Sequence, residues 1–182
     1  DHKPQLRIAV ELLEEALLKR TSQNDEEYKT RAIQFYQRCM QFSGPLMAKG
    51  VEDTLMYTFN RFVGHNEVGD SPEFFGLTAE DFHMNMKYRQ HRWPLALNAT
   101  STHDTKRGED MRMRLNVLSV LADEWIELVK SWIKSNLIYK TNNFPDPNDE
   151  YFIYQTLIGA YPIKEEEDFI VRLEEYFIKA FR

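Results

Sequence analysis

Only one cysteine, Cys39, occurs in the 182 residues. A lone thiol makes no internal disulfide, which excludes a disulfide-stapled fold and fits a reducing cytoplasm. Its setting, Phe35-Tyr36-Gln37-Arg38-Cys39-Met40, is a helical run, so a buried structural thiol is expected rather than a nucleophile. Glycine and proline are scarce, at seven each. Few tight turns are available, which argues against a chain of many short strands. Lys and Arg number 23 against 29 Asp and Glu, for a net charge of −6. No basic stripe stands out, so nucleic acid is not an expected partner. No apolar run is long enough for a membrane span and no signal-peptide pattern opens the chain, so neither membrane nor export is expected. Apolar material, by contrast, is plentiful: 42% hydrophobic and 13% aromatic residues. That suffices for a sizeable core in one domain.

The apolar residues recur mostly at helical spacing. Leu6, Val10, Leu13 and Leu17 mark an amphipathic helix over Pro4 to Arg20. After a polar break at Thr21 to Asn24, Asn24 or Asp25 is placed to cap a second helix, which Gly44-Pro45 should stop or bend. Leu46 to Val63 reads as helical in parts, broken at Gly50. Thr78, with Asp81 three residues on, has the form of a capping box. The helix it opens should end near Arg92, before Trp93-Pro94. Met111 to Leu121 reads as a helix, and Asp123 as the cap of another over Glu124 to Ile138. Asp149 to Tyr161 and Glu165 to Phe181 close the chain as two more. Leu95 to Thr102 is small, partly apolar and uncharged, and reads as a short buried strand or an extended segment. The fold class is therefore all-α, mostly helical, with at most one short strand. A lone strand leaves its backbone groups without partners, so those partners are expected outside this chain.

Three polar clusters are candidates for chemistry. Met47 to Thr54 holds Lys49, Glu52 and Asp53 around Gly50, where the backbone can approach a ligand closely. It lacks the order of a phosphate-binding loop, and a solvated helix boundary is the plain alternative. Thr102 to Asp110 packs His103, two cations and three carboxylates into nine residues after the strand-like run. Strand ends opening onto polar loops are where barrel enzymes place catalytic groups. One histidine with scattered carboxylates does not match metal-ligand spacing, so no metal is expected. The dipole of a helix N-terminus accounts for Glu109 and Asp110 but less well for His103-Asp104. Gly64 to Asp70 offers Asn66 and Glu67, groups suited to sugar hydroxyls, or is a plain polar loop.

The run Gly44-Pro45-Leu46-Met47-Ala48-Lys49-Gly50-Val51-Glu52-Asp53-Thr54 resembles a signature of the maltooligosyltrehalose synthase family, within the alpha-amylase superfamily. Further stretches agree in order: Asn66 to Gly69, Phe82-His83, Ala99 to Arg107, and Tyr154 to Ala160. The resemblance covers roughly Phe42 to Arg182. It implies a helical fragment of a larger (β/α)8-barrel enzyme: a helical insertion over about 1–94, then a late barrel strand and its following helices over about 95–182. The family converts the reducing-end α-1,4 linkage of a maltooligosaccharide to an α,α-1,1 linkage by intramolecular transglycosylation, without a cofactor. By resemblance Asp104 is the carboxylate that stabilises the transition state, and His103 donates to a sugar hydroxyl. Lys49, Lys106, Glu52, Asp53, Asn66 and Glu67 complete the candidate substrate-binding set, and Arg107 is expected to pair with Glu109 or Asp110. The nucleophile and acid/base motifs of the superfamily are absent, so the fragment alone should be inactive, with the remainder of the parent polypeptide as its partner. Asp70 stands where the family tends to have a second glycine, and Gly108 where serine is common. The alternative from another class is a non-catalytic helical carbohydrate-binding or interaction module. An independent enzyme built on His103-Asp104 would need a nucleophile, and no serine or cysteine stands in a suitable setting.

Overall fold

A computed structural model describes residues 4–18, 26–71 and 73–181. The chain divides into two compact units, Asp1–Gly50 and Val51–Arg182. In the first, a 3₁₀ turn at Pro4–Leu6 leads into α1 (Arg7–Leu17), which contacts α2 (Glu26–Met47). Neither helix has a buried residue. The stripe on α1 is exposed, with Val10 at 57% and Leu13 at 45%. Two helices alone do not enclose a core, so an apolar stripe on one of them remains wet. The expected break at Thr21–Asn24 and the caps Asn24 and Asp25 lie outside the described residues.

Gly44-Pro45 does not stop α2. The helix runs to Met47 and gives way directly to a π-helical stretch, Ala48–Leu55, that includes Gly50. Proline removes one ladder donor, but the neighbouring bonds keep the chain coiled, and π turns commonly sit where the ladder is re-registered.

The second unit continues with α3 (Met56–Thr58), a 3₁₀ turn at Val63–His65, α4 (Ala79–Arg92), α5 (Glu109–Leu118), α6 (Ala122–Asn136), α7 (Pro147–Ala160) and α8 (Phe169–Ala180). Thr78 caps α4 as expected: its Oγ1 accepts from the Asp81 N–H at 3.1 Å, while the Asp81 carboxylate accepts from the Thr78 hydroxyl at 2.6 Å rather than from the Thr78 N–H of a full capping box. Asp123, expected as a cap, lies instead in the first turn of α6, where its charge complements the helix dipole. The α7 cap is Asp146, which accepts from the N–H groups of Asn148 and Asp149 at 2.8 and 2.9 Å, ahead of Pro147 in the first turn.

Helix α7 is the centre of this unit. Phe152 packs with Val63 and Leu115 in one cluster, while Tyr154 packs with Trp125 and Val129 in another. A helix that meets neighbours on most sides must satisfy its polar side chains internally. Gln155 accepts from the Val63 N–H at 2.9 Å and donates to the Asn60 carbonyl at 2.8 Å. Glu150 accepts from the Tyr154 hydroxyl and pairs with Lys140, each at 2.6 Å.

No strand forms among the described residues beyond one isolated bridge, Thr141 to Phe144. Residues 95–102 are irregular and extended rather than buried: Leu95 and Leu97 are 93% and 95% exposed. Without a partner strand among the described residues, their peptide groups bond only locally or to side chains: the Leu97 and Thr100 carbonyls accept from Arg89 and Arg112, and the Thr102 N–H donates to Thr105 Oγ1.

The approach of α5 to α7 depends on Gly159, where an added Cβ would lie 2.6 Å from Met111 Cγ. Gly159→Val should lower the urea midpoint by an amount equivalent to about 1–3 kcal/mol, as overpacking does. An unchanged midpoint would show that α5 shifts freely on α7.

Candidate functional site

Residues 66–67 and 106–107 are tied together by one carboxylate. Glu67 Oε1 accepts from the Lys106 N–H at 2.7 Å and from the Val68 N–H at 2.9 Å. Glu67 Oε2 accepts from the Arg107 N–H at 3.0 Å. Asn66 holds the other side: its amide donates to the carbonyls of Met56 and Phe59, both at 2.8 Å, and its own carbonyl accepts from Arg107 Nη1 at 2.9 Å. Gly69, at φ +83°, makes the turn that follows, in the left-handed region that favours glycine. Asp70, the departure from the family pattern, is used locally: its carboxylate faces His65 Nδ1 at 2.9 Å and accepts from the Ser71 N–H at 2.8 Å.

Asn66 and Glu67 are thus buried, and their side-chain bonds go to backbone. Lys106 also reaches the Met47–Thr54 cluster. Its Nζ donates to Asp53 Oδ1 at 2.8 Å and lies 5.9 Å from the centre of the Tyr57 ring. The Asp53 hydrogen bond holds the Lys106 pKa above its ordinary value, with Glu52 adding to the effect and burial working against it. Three sequence clusters therefore supply one set of contacts, through Asp53, Glu67 and Lys106. Lys49 is exposed in the first unit, and Glu52 is half-buried in the second.

His103 and Asp104 sit on the turn just before this anchored stretch. They contact each other, His103 Nε2 to Asp104 Oδ2 at 3.0 Å, and are otherwise open, at 89% and 68% exposure. Arg107 departs from its expected pairing with Glu109 or Asp110. It is buried, bonds to the Asn66 carbonyl and lies over the Phe152 ring at 5.9 Å. Its side chain points back into the core, whereas Glu109 and Asp110 are exposed in the first turn of α5. Burial raises the Tyr176 phenol pKa, and the Arg107 charge opposes that shift.

Asn60 and Gln155 were not singled out from the sequence as supports of this site. A glutamine inside the apolar run Tyr151-Phe152-Ile153-Tyr154-Gln155 was the available signal, because a polar side chain there needs an internal partner. Among the described residues, no group of three or more His, Cys, Asp or Glu is placed to hold a metal ion, and no helix is long and apolar enough to cross a membrane.

No family model matches the sequence. A protein of Mycobacterium tuberculosis named as a maltooligosyl trehalose synthase is 37% identical over 147 residues, covering 80% of this chain and 18% of its own length. A crystal structure of a maltooligosyl trehalose synthase superposes on 88% of this chain and 21% of its own, with TM-score 0.74 and 35% identity. The maltooligosyltrehalose synthase from Arthrobacter ramosus superposes on 98% of this chain and 21% of its own, with TM-score 0.77 and 32% identity. The chain thus spans about a fifth of the length of the proteins it matches. That similarity does not favour the reading as a separate non-catalytic module.

Glu67→Ala removes the acceptor of three peptide N–H groups, those of Val68, Lys106 and Arg107. Each buried group left unsatisfied costs about 1–3 kcal/mol. Urea unfolding should therefore show a loss of at least about 2 kcal/mol. A midpoint matching that of the parent sequence would mean that water replaces the carboxylate without cost.

Proposed function

The chain belongs, as a partial chain, to the maltooligosyl trehalose synthase family, and from that premise we propose that it supplies one catalytic carboxylate and part of the sugar site to a larger enzyme. The reaction of that enzyme is intramolecular: the reducing-end α-1,4 bond of a maltooligosaccharide breaks, and the released glucose is rejoined through its anomeric hydroxyl as an α,α-1,1 unit. Retaining chemistry of this kind uses a carboxylate nucleophile and a carboxylic acid on either side of the glycosidic bond. Both come from the remainder of the parent polypeptide, a (β/α)8 barrel. Asp104 is the third carboxylate, which stabilises the oxocarbenium-like charge, and His103 donates to a sugar hydroxyl. No cofactor takes part.

The observation that carries this reading is the anchoring of residues 106–107 by Glu67, next to the open His103-Asp104 turn. A carboxylate that stabilises a transition state must be held in place before the charge develops. Glu67 and Asn66 do this from behind, as positioning residues, rather than touching sugar. Lys106 keeps donors free beyond the one given to Asp53, because an ammonium has three. Asp53, assisted by Glu52, orients it towards the glucose released in the first half of the reaction; Lys49 is a further candidate donor to sugar hydroxyls. A cytoplasmic location belongs to the same reading, and Cys39, half-buried, has no second cysteine in this chain.

In the intact enzyme, Asp104→Asn should lower kcat about 10²–10³-fold, since electrostatic stabilisation of this type is worth about 3–4 kcal/mol. The purified 182-residue chain should form no trehalose-ended product from maltooligosaccharides. Near-normal turnover by the variant, or product made by the chain but not by its Asp104→Ala form, would sink the assignment. Lys106→Ala and Lys49→Ala should each raise free glucose relative to trehalose-ended product, because water replaces glucose once it escapes. An unchanged ratio in both variants would make the lysines surface charges.

A further inference from the structure

Arg107 is 4% exposed, yet no carboxylate pairs with it among the described residues. One of its donors is used, Nη1, on the Asn66 carbonyl. Nε and Nη2 are buried and make no well-formed hydrogen bond, although the Tyr176 hydroxyl, at the same cavity, interacts with the guanidinium. Those two nitrogens form the side-on edge of the guanidinium, the edge that grips a carboxylate with two parallel hydrogen bonds. A buried cation met only by a neutral hydroxyl and a carbonyl, with no anion, is costly unless something supplies one.

The space beside it has the right form. A cavity of about 300 Å³ is lined by Arg107 and by Thr156, which is 3% exposed and whose hydroxyl also lacks a partner. One water accounts for only about 30 Å³. Gly108, at the same cavity, is the N-cap of α5 and gives that helix no side-chain cap, so the positive end of α5 adds to the attraction for an anion. The remaining walls include Met111, Ala160, Phe169 and Leu173, which are apolar. Arg172 also lines the cavity, but its charge is met by Glu166 and, at 3.3 Å, Asp168.

The geometry points to a binding site for a carboxylate carrying a short apolar body, held by the Arg107 side-on edge and the Thr156 hydroxyl, with its body against Met111 and Leu173. Inorganic phosphate would meet the fork but leave the apolar walls unused. Two sources supply the chemistry: a free small organic acid, or an acidic side chain from the remainder of the parent polypeptide. Neither belongs to the sugar chemistry at Asp104.

Butyrate, butyramide and phosphate are titrated into the 182-residue chain at constant ionic strength and followed by thermal shift and calorimetry. Butyrate should bind saturably, and butyramide, with the same body and no charge, about tenfold or more weaker. Phosphate should bind more weakly than butyrate. Arg107→Met should abolish the butyrate signal while far-ultraviolet circular dichroism stays helical. If that variant fails to fold, Thr156→Val decides: it keeps the shape, removes the hydroxyl and should weaken butyrate several-fold. The intact enzyme separates the sources, since a site filled by its own carboxylate no longer takes butyrate, whereas a site for a free acid still does. No saturable butyrate binding to the folded chain, equal binding of butyramide, or undiminished binding by folded Arg107→Met or Thr156→Val would overturn the proposal.

Discussion

Residues 102–107 form no helix or strand, so their peptide N–H groups have no ladder to join. The Glu67 carboxylate takes two of them, at Lys106 and Arg107, across 39 and 40 positions of sequence. Much of the site follows from that contact. With the backbone of 106–107 fixed, Lys106 can reach Asp53 and Arg107 can turn inward over Phe152. The turn carrying His103 and Asp104 is anchored at one end and open at the other. A charged acceptor suits this work, because hydrogen bonds to a carboxylate are about twice as strong as neutral ones.

The support behind Glu67 is also polar and buried. Asn66 ties its loop to the carbonyls of Met56 and Phe59. Gln155 ties α7 to Asn60 and Val63. Neutral amides suit these positions because each offers a donor and an acceptor to a backbone that has both to satisfy. Such a network specifies one arrangement, since any slip leaves several groups unpaired at once.

The apolar surface has a different character. Leu95, Leu97 and Ile163 are all at least 90% exposed, and neither α1 nor α2 buries a residue. Exposed apolar area of this extent usually marks an interface. The chain matches about a fifth of the length of much larger proteins.

The sequence by itself determined where most of the helices lie and both ends of α4, because spacing, capping residues and prolines act within a few positions. Thr78 with Asp81, and the stop before Trp93-Pro94, were readable for that reason. It also marked three polar runs, and their order carried the family resemblance. It did not say that Asn66 and Glu67 face inward, that Arg107 leaves Glu109 and Asp110 for the core, or that α2 continues through Pro45. Those outcomes rest on which peptide groups need partners once distant segments meet, and sequence spacing holds no record of that. Only the tertiary structure decided that one carboxylate would serve two peptide N–H groups some forty positions away.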